Sequence, residues 1–279
     1  MSIKASLMIT TYDMPEHLKL VCANLKRQSC QEFEVLFCDD GSGPATERVI
    51  SEFAQHSSLP IQHLWQEHDG FRKCKILNQA LLKARGETLI FLDGDCVPHW
   101  RFVEDHLRHQ EEGFYLAGRR VEVGPDLSSR ITPQWVASGY FDWPHPSFLW
   151  SVWKKDSEFL NRSIRVSSPR VRSWLGMNRI DDLKGCNYSV PRYVLESLNG
   201  FDESYEGYGR EDTDVEIRLQ NFGLKIKSLK GLALQFHVWH PRREFTPANE
   251  DLLADAKKTG RLRALKGLSE LRARLKERL

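Results

Sequence analysis

The first third of the chain alternates short apolar runs with segments of helical periodicity, and this order limits the fold more than any other feature. Apolar runs and alternations predict strands over residues 5–11, 33–38, 61–65 and 88–92. Apolar residues three and four apart predict helices over 15–28, 45–56 and 74–85. This β-α-β-α order favours an α/β fold with a mostly parallel sheet flanked by helices, in which ligands bind at the carboxyl ends of the strands.

The rest of the chain is less regular. Residues 122–183 mix many aromatic side chains with Pro, Ser and Arg without a clear period, which predicts an aromatic-rich insertion that is functional or mobile. Regularity returns with a predicted helix over 211–222 and predicted strands over 225–229 and 233–237. A basic amphipathic helical tail follows, in which leucines recur at helical spacing. These leucines are Leu262, Leu265, Leu268, Leu271, Leu275 and Leu279.

Composition argues against several classes of protein. The formal net charge of +2 gives no general case for a nucleic-acid partner. No stretch approaches the roughly 20 apolar residues that span a bilayer, and the N-terminus lacks the apolar region of a secretory signal, so we expect a cytoplasmic protein. The six cysteines form no C-x-x-C pair, which favours reduced thiols over a zinc site or a disulfide framework.

Acidic residues cluster at or just after the ends of three predicted strands: Asp39 with Asp40, Asp69, and Asp93 with Asp95. Two residues apart in an extended backbone, Asp93 and Asp95 point to the same side and favour a divalent cation between them. Mg²⁺ or Mn²⁺ held by a few carboxylates usually completes its coordination shell with phosphate oxygens. Taken alone, Asp93-Gly94-Asp95 is also explained by a solvated turn at the end of a strand.

Two further segments allow a ligand-binding and a structural interpretation. In Asp39-Asp40-Gly41-Ser42, the first carboxylate can accept hydrogen bonds from an imide or a sugar, or it can form an Asx-type turn. Arg72 and Lys73 precede a predicted helix that carries Asn78, where the two cations can meet diphosphate oxygens or remain solvated.

The stretch GFDESYEGYGREDTD, residues 200–214, places acids in the first turn of a predicted helix. The helix dipole and capping favour acids there, yet a carboxylate after the flexible Gly207 and Gly209 can also take a proton from a hydroxyl. Further along, His237 and His240 are candidate metal ligands or structural histidines. Residues three apart on a strand face opposite sides, so we expect one of the two imidazoles to reach a metal.

In this order, the motifs resemble those of inverting, nucleotide-sugar-dependent glycosyltransferases of the family 2 type, which have a GT-A fold. Thr10-Thr11-Tyr12, DDGS at 39–42 and DGD at 93–95 resemble the family's nucleotide-binding half. NGFDESYEGYGREDTD at 199–214 is similar to the C-terminal motif of β-1,4-galactosyltransferases and bacterial chondroitin-type polymerases. FRKCKILN at 71–78 resembles the galactosyltransferase segment that holds the donor nucleotide. Tyr208 and Arg210 replace a Trp and a Gly of the animal enzymes, which bears on acceptor specificity.

The resemblance implies a role for each matching position. Asp212 would be the catalytic base, with Glu211 beside it on the acceptor, and Asp39 would bind the uracil. The implied donor-binding residues are Thr11, Asp39, Asp40, Arg72, Lys73, Asn78, Asp93 and Gly94. The implied metal ligands are Asp93, Asp95 and His237, with His240 second. The predicted acceptor-binding residues are Tyr208, Gly209, Glu211 and, from the aromatic segment, Trp143.

These assignments predict a hexosyltransferase-type enzyme that uses Mn²⁺ or Mg²⁺ to move one sugar from a UDP-sugar to a hydroxyl of a glycan or lipid-linked saccharide. Bacterial cell-surface polysaccharide or lipopolysaccharide synthesis is the expected setting, and the lack of a QxxRW motif favours single-sugar addition. One alternative is a sugar-nucleotide pyrophosphorylase, although TTYDMPEHL stands where such enzymes need a Gly-rich basic loop. Another is a non-catalytic nucleotide-sugar or carbohydrate-binding protein on the same fold.

The predicted organisation has a nucleotide-sugar-binding half (1–121), an acceptor-binding and catalytic half of the same domain (122–248), and a tail (249–279). The aromatic segment from Trp135 to Trp153 is either an acceptor platform or a lid folded into the core. The tail either packs on the catalytic domain or lies on an anionic membrane surface, which would give a peripheral location at the inner face of the membrane.

Overall fold

A computed structural model describes residues 2–241 and 244–277. The strands are β1 (Ala5–Thr11), β2 (Phe33–Asp39), β3 (Ile61–Trp65), β4 (Thr88–Asp93), β5 (Cys96–Pro98), β6 (Phe114–Ala117), β7 (Val121–Val123), β8 (Tyr188–Pro191), β9 (Lys225–Ser228) and β10 (Gln235–Val238). The helices are α1 (Pro15–Leu25), α2 (Pro44–Gln55), α3 (Lys73–Lys83), α4 (Phe102–His109), α5 (Pro125–Ser128), α6 (Pro133–Ala137), α7 (Pro146–Trp153), α8 (Pro169–Trp174), α9 (Arg192–Ser197), α10 (Glu211–Asn221), α11 (Ala248–Thr259) and α12 (Leu268–Lys276).

A seven-stranded sheet in the order β3-β2-β1-β4-β8-β6-β9 forms the centre of the molecule. β1 runs parallel to both β2 and β4, whereas β8 is antiparallel to its neighbours β4 and β6. In this register Thr11 lies opposite Asp39, and Thr10 lies opposite Asp93. The predicted α/β fold with a mostly parallel sheet is confirmed, and its carboxyl edge brings the acidic strand ends together.

Helices cover both faces of this sheet because its central strands are apolar on both sides. β1 and β2 are buried along nearly their whole length. On one face α1, α2 and α4 pack in a core that includes Leu18 and Phe102; on the other, α3, α9 and α10 pack in a core that includes Leu77 and Leu219.

A second, three-stranded sheet in the order β5-β10-β7 lies beside the carboxyl edge of the first. β10 is antiparallel to β5 and parallel to β7, which places His237 between Cys96 on one side and Glu122 on the other. β5 and β7 have three residues each, too short for the alternation that reveals a strand in a sequence. This sheet joins the end of the first half of the chain to a strand from the second.

The aromatic segment is divided between the core and the surface. Tyr140, Phe141 and Phe148 are buried, whereas Trp143 and Trp153 are 75% and 72% exposed. Packing into the core, one of the two alternatives for this segment, is thus observed for part of it, and the acceptor platform stays a prediction.

The tail forms two helices instead of the single helix expected. Gly260 ends α11 in the left-handed conformation, with φ = 62°, and α12 begins at Leu268. The leucine series therefore does not form one stripe: Leu268 is buried, whereas Leu265 is exposed. Leu279 of that series lies outside the described residues. In the part of the chain that the structure describes, no helix is both long and apolar enough to cross a bilayer.

Candidate active site

The carboxyl ends of β1 and β4 and the edge of the small sheet surround a cleft of about 710 Å³. The cleft is lined by nine of the residues predicted from the sequence to form the site. They are Thr11, Asp40, Lys73, Asp93, Gly94, Asp95, Tyr208, His237 and His240. Strand ends and loops that lie far apart in the sequence thus converge on one cavity, as expected for an α/β sheet.

Asp95, His237 and His240 form a cluster that can hold a metal ion. The Nε2 atom of His240 lies 3.1 Å from Oδ2 of Asp95, and that of His237 lies 3.8 Å from Oδ1. The two Nε2 atoms are 3.2 Å apart. The expectation that only one histidine would face the metal is wrong for this geometry, because β10 ends at Val238 and the strand alternation does not extend to His240.

The donor atoms of this cluster fit a transition-metal ion. The Nδ1–H group of His237 donates to Glu122 at 2.6 Å. The Nδ1–H group of His240 donates to the carbonyl of Pro241 at 2.8 Å. Both Nε2 lone pairs then face each other and a carboxylate, an arrangement that a bound cation stabilises. Two imidazoles with one carboxylate suit Mn²⁺ better than Mg²⁺, which prefers oxygen ligands.

Asp93 faces different partners from Asp95. Its Oδ1 accepts a hydrogen bond from the Thr10 hydroxyl at 2.8 Å and lies 3.6 Å from Nζ of Lys73. Asp93 therefore faces Thr10 and Lys73, whereas Asp95 faces the histidines.

Lys73 lies between three carboxylates. Its Nζ is 3.6 Å from Oδ1 of Asp212 and 3.7 Å from Oε1 of Glu211, in addition to its contact with Asp93. Burial alone would lower the pKa of Lys73, but the charges of the three carboxylates raise it well above its usual range. One lysine ammonium thus connects the Asp-Gly-Asp motif to the acidic pair of α10.

Glu211 and Asp212 occupy the first turn of α10, where the helix dipole favours acids. Burial and the charge of Asp212 raise the pKa of Glu211 to about 7. Burial likewise raises the pKa of Asp212, against the opposing charge of Lys73. The pair is therefore a good proton acceptor near neutral pH.

Backbone shape sets the position of this pair. Arg210, the residue before α10, has φ = 76°, in the left-handed region that favours glycine, which is the residue the animal enzymes have there. Gly209 has φ = 110°, and a Cβ built on it would lie 2.5 Å from the ring of Phe245. The Gly209 N–H donates to Oε2 of Glu211 at 3.1 Å and so orients that carboxylate.

The two acids of the DDGS motif differ in their contacts. Asp39 is fully buried; it accepts from the backbone N–H of Ser42 at 2.8 Å and lies 2.9 Å from Nε2 of His63. Asp40 accepts from the backbone N–H of Arg72 at 2.7 Å and lines the cleft. The hydroxyl of Thr11 is buried and has no hydrogen-bond partner among the residues that the structure describes. Thr11 and Asp40 thus line the cleft, although the Thr11 hydroxyl itself is buried, and Asp39 supports the turn.

Seven assigned residues are not among those that line the cleft: Asp39, Gly209, Glu211 and Asp212, described above, and Arg72, Asn78 and Trp143. Glu211 and Asp212 contact the cleft residue Lys73. The Arg72 guanidinium binds Asp69 and Glu206 at 2.9 and 2.8 Å, next to a smaller pocket. Asn78 is fully buried and exchanges hydrogen bonds of 2.9 and 2.8 Å with the backbone of Phe201. Its contacts tie α3 to the segment before α10, which is a structural role. Trp143 lies on the exposed surface of the aromatic segment.

The structure adds three residues that sequence reasoning did not select. Arg120 and Glu122 line the cleft from β7 and the turn before it. Gly185 packs against Asp212, the predicted base: a Cβ built on Gly185 would lie 1.8 Å from Oδ2 of Asp212. No sequence signal marks them, because β7 is too short to recognise and the requirement for Gly185 arises from a residue 27 positions away.

Comparison with known proteins places this cleft in a family. The model of glycosyl transferase family 2 matches residues 6–171, more than half of the chain. The chain belongs to glycosyltransferase family 2. A second family model, described as the N-terminal domain of galactosyltransferase, matches residues 167–241 of the same chain. This range includes Glu211, Asp212, His237 and His240. The family 2 assignment confirms the resemblance seen in the sequence.

Curated relatives of this family 2 glycosyltransferase include an uncharacterized glycosyltransferase, YfnE, of Bacillus subtilis (strain 168), 28% identical over 86% of this chain. A chondroitin synthase of Escherichia coli is 23% identical over 86% of this chain. The chain spans 66% of the length of the first protein and 35% of the second.

Solved structures support the GT-A fold of this glycosyltransferase. S. aureus TarS 1-349 in complex with UDP matches with a TM-score of 0.61 and 18% identity, over 95% of this chain and 68% of that one. The mannosyltransferase PcManGT from Pyrobaculum calidifontis, in complex with GDP-Man and Mn²⁺, matches with a TM-score of 0.58 and 15% identity, over 87% of this chain and 59% of that one.

Proposed function

We propose that this glycosyltransferase is a metal-dependent, inverting enzyme that moves one hexose from a UDP-sugar to a hydroxyl of a glycan or lipid-linked saccharide. The observation that carries the proposal is the position of Lys73, whose ammonium lies 3.6 Å from both Asp93 and Asp212. A donor diphosphate beside Asp93 and an acceptor hydroxyl beside Asp212 would then lie within reach of each other, as a direct displacement requires.

The donor assignment rests on the cleft and on the ligands of similar proteins. Thr11 and Asp40 line the cleft at the ends of β1 and β2, where a nucleobase and ribose would lie. TarS has been crystallised with UDP and the mannosyltransferase with GDP-Man, so both UDP-sugars and GDP-sugars belong in a donor screen. The similarity of residues 71–78 to the galactosyltransferase donor segment favours UDP.

Asp95, His237 and His240 would hold the metal ion, which we propose is Mn²⁺. When bound, such an ion supplies a Lewis acid that stabilises negative charge on the departing diphosphate. Asp93 would stay with Lys73 and Thr10, where its carboxylate can accept hydrogen bonds from the donor sugar.

Asp212 would take the proton of the acceptor hydroxyl as its oxygen attacks the anomeric carbon from the side opposite the nucleotide. Glu211, oriented by the Gly209 N–H, would accept a hydrogen bond from the acceptor, and the half-exposed ring of Tyr208 would pack against its sugar. A single displacement with one base inverts the anomeric configuration. Bacterial surface polysaccharide or lipopolysaccharide synthesis is the setting that we propose for this reaction.

The test is release of UDP on addition of acceptor. Asp212→Asn should lower kcat by about 10² or more with nearly unchanged donor affinity, because the amide cannot accept the proton. Asp251→Asn, on the exposed surface of α11, is the matched control and should keep full activity. Unchanged turnover in Asp212→Asn would remove that residue from the role of base.

Two further outcomes separate transfer from binding and test the metal. A protein that only binds nucleotide sugars would bind the donor without releasing UDP when acceptor is added. Chelation should abolish transfer and added Mn²⁺ should restore it. Full activity in the presence of a chelator would refute the metal dependence while leaving sugar transfer itself established.

A further inference from the structure

The small sheet holds Glu122 against one of the two metal-site histidines. β7 and β10 are parallel, and Glu122 is the register partner of His237, so the two side chains lie on the same face of the sheet. Oε2 of Glu122 lies 2.6 Å from Nδ1 of His237. The other ring nitrogen, Nε2, faces Asp95 and His240.

This contact determines which ring nitrogen is free. A carboxylate only accepts hydrogen bonds, so it selects the tautomer that carries its proton on Nδ1. That tautomer leaves the Nε2 lone pair exposed to the cluster, in the form required of a metal ligand. The contact also restricts rotation of the ring, because Glu122 is itself fixed by its strand.

Arg120 holds the second oxygen of the same carboxylate. Its Nε lies 2.7 Å from Oε1 of Glu122, so both carboxylate oxygens have a defined partner. Glu122 therefore cannot turn to offer an oxygen to the ion without breaking one of two short contacts. The chain from Arg120 through Glu122 to His237 ends at the site where the ion would bind.

We propose that Glu122, supported by Arg120, is a positioning residue that sets the affinity of the enzyme for its divalent cation through His237. The proposal rests on the metal site of the proposed function. Carboxylates that receive the second N–H of a ligating histidine raise the basicity of its other nitrogen, and their loss typically weakens metal binding by about 10- to 100-fold.

The experiment measures the dissociation constant for Mn²⁺ alone by titration calorimetry on the full chain, with thermal unfolding of the metal-free protein in parallel. The variants are Glu122→Gln, which keeps the size of the side chain, Glu122→Ala and His237→Ala. Glu158→Gln is the matched control, since Glu158 is an exposed carboxylate on the rim of the same cleft.

Both Glu122 variants should bind Mn²⁺ about 10- to 100-fold more weakly than the wild type, and Glu158→Gln should stay within about threefold. Mn²⁺ affinity within about threefold of the wild type in folded Glu122→Gln would overturn the proposal. Equal weakening in Glu158→Gln would also overturn it, since general loss of charge would then be the cause. If Glu122→Ala does not fold, Glu122→Gln decides.

Failure of the underlying metal site gives a different result. The wild type would then bind no Mn²⁺, and His237→Ala would behave like it in every assay. That outcome overturns the role of Glu122 as well, but sugar transfer that persists under those conditions would still support the glycosyltransferase reaction.

Discussion

At the scale of single residues, the site is organised by one cation among several anions. Lys73 contacts Asp93, Glu211 and Asp212 at 3.6 to 3.7 Å, so the site carries more negative than positive charge before any ligand binds. Burial together with this imbalance raises the pKa values of the acidic pair. Lys73 also connects Asp93 to an acidic pair that lies more than a hundred positions further along the chain.

The coupling predicts a pH dependence of the reaction. Because the pKa of Glu211 is raised to about 7, the pair takes up a proton as the pH falls through neutrality, and kcat/KM should fall with it. Glu211→Gln removes the neighbouring charge that disfavours ionisation of Asp212, so the acid limb of its pH–rate profile should move to lower pH. An acid limb at the same pH in both proteins would show that the two carboxylates titrate independently.

Gly185 offers a test of how precisely Asp212, the proposed base, must be placed. Gly185→Ala puts a methyl group where Oδ2 of Asp212 now lies, 1.8 Å from the built Cβ, so the carboxylate must move. Displacement by about 1 Å can cost about 10²-fold in rate, and we expect kcat to fall by that order with little change in Tm. In Gly43→Ala the added Cβ meets its nearest atom at 3.7 Å, so this control should keep its rate. A normal rate in Gly185→Ala would mean that the base tolerates displacement.

At the scale of elements, a strand can be predicted from the sequence when it is long enough to show a regular pattern of apolar residues. β1, β2 and β4 were predictable because each has six or seven residues, mostly apolar, and their ends carry the acidic motifs. β5 and β7 were not, because three residues show no period and their partner β10 comes much later in the chain. The sequence therefore revealed Asp93, Asp95 and the two histidines but not Glu122, whose role depends on an unrecognised strand pairing.

The start of α10 stores backbone strain that can be measured. A non-glycine residue in the left-handed conformation costs about 1–2 kcal/mol, and Arg210 adopts it with φ = 76°. Its guanidinium pairs with Glu250 at 2.9 Å, but both side chains are largely exposed and the pair contributes little.

Arg210→Gly should therefore be more stable than Arg210→Ala by about 1 kcal/mol in urea unfolding, because both lose the ion pair and only glycine relieves the strain. Equal stability of the two variants would show that the turn before α10 adapts to either residue. Comparison of these two variants, rather than of either with the wild type, isolates the backbone contribution.

At the scale of the whole molecule, the tail is part of the catalytic domain. Arg261, which is 9% exposed, lies 3.3 Å from Asp214 and 3.6 Å from Asp202, two fully buried carboxylates. The backbone N–H of Leu268 donates to the carbonyl of Asn199 at 3.0 Å, at the start of the motif that leads to α10. Packing on the domain, one of the two alternatives for the tail, is thus observed, and membrane contact stays a prediction.

Arg261→Met should lower the free energy of unfolding by about 3 kcal/mol, because it leaves the buried Asp202 without its counter-charge and leaves Asp214 paired with Arg218 alone. Arg272→Met, at an exposed position of α12, should change it by less than about 0.5 kcal/mol. Denaturant unfolding of the metal-free proteins measures both values. Equal stability of the two variants would mean that the tail contributes no electrostatic stabilisation to the domain.

The small sheet also fixes when the enzyme can first become active during its own synthesis. Glu122 and His237 are 115 positions apart, and both histidines belong to the later segment. At ribosomal rates of 5–20 residues per second, roughly 5 to 25 s pass between translation of β7 and of β10. Throughout that interval the nascent chain carries Asp95 alone of the three side chains proposed to bind the metal, too few to retain an ion, so the proposed metal site cannot form before β10 has been translated.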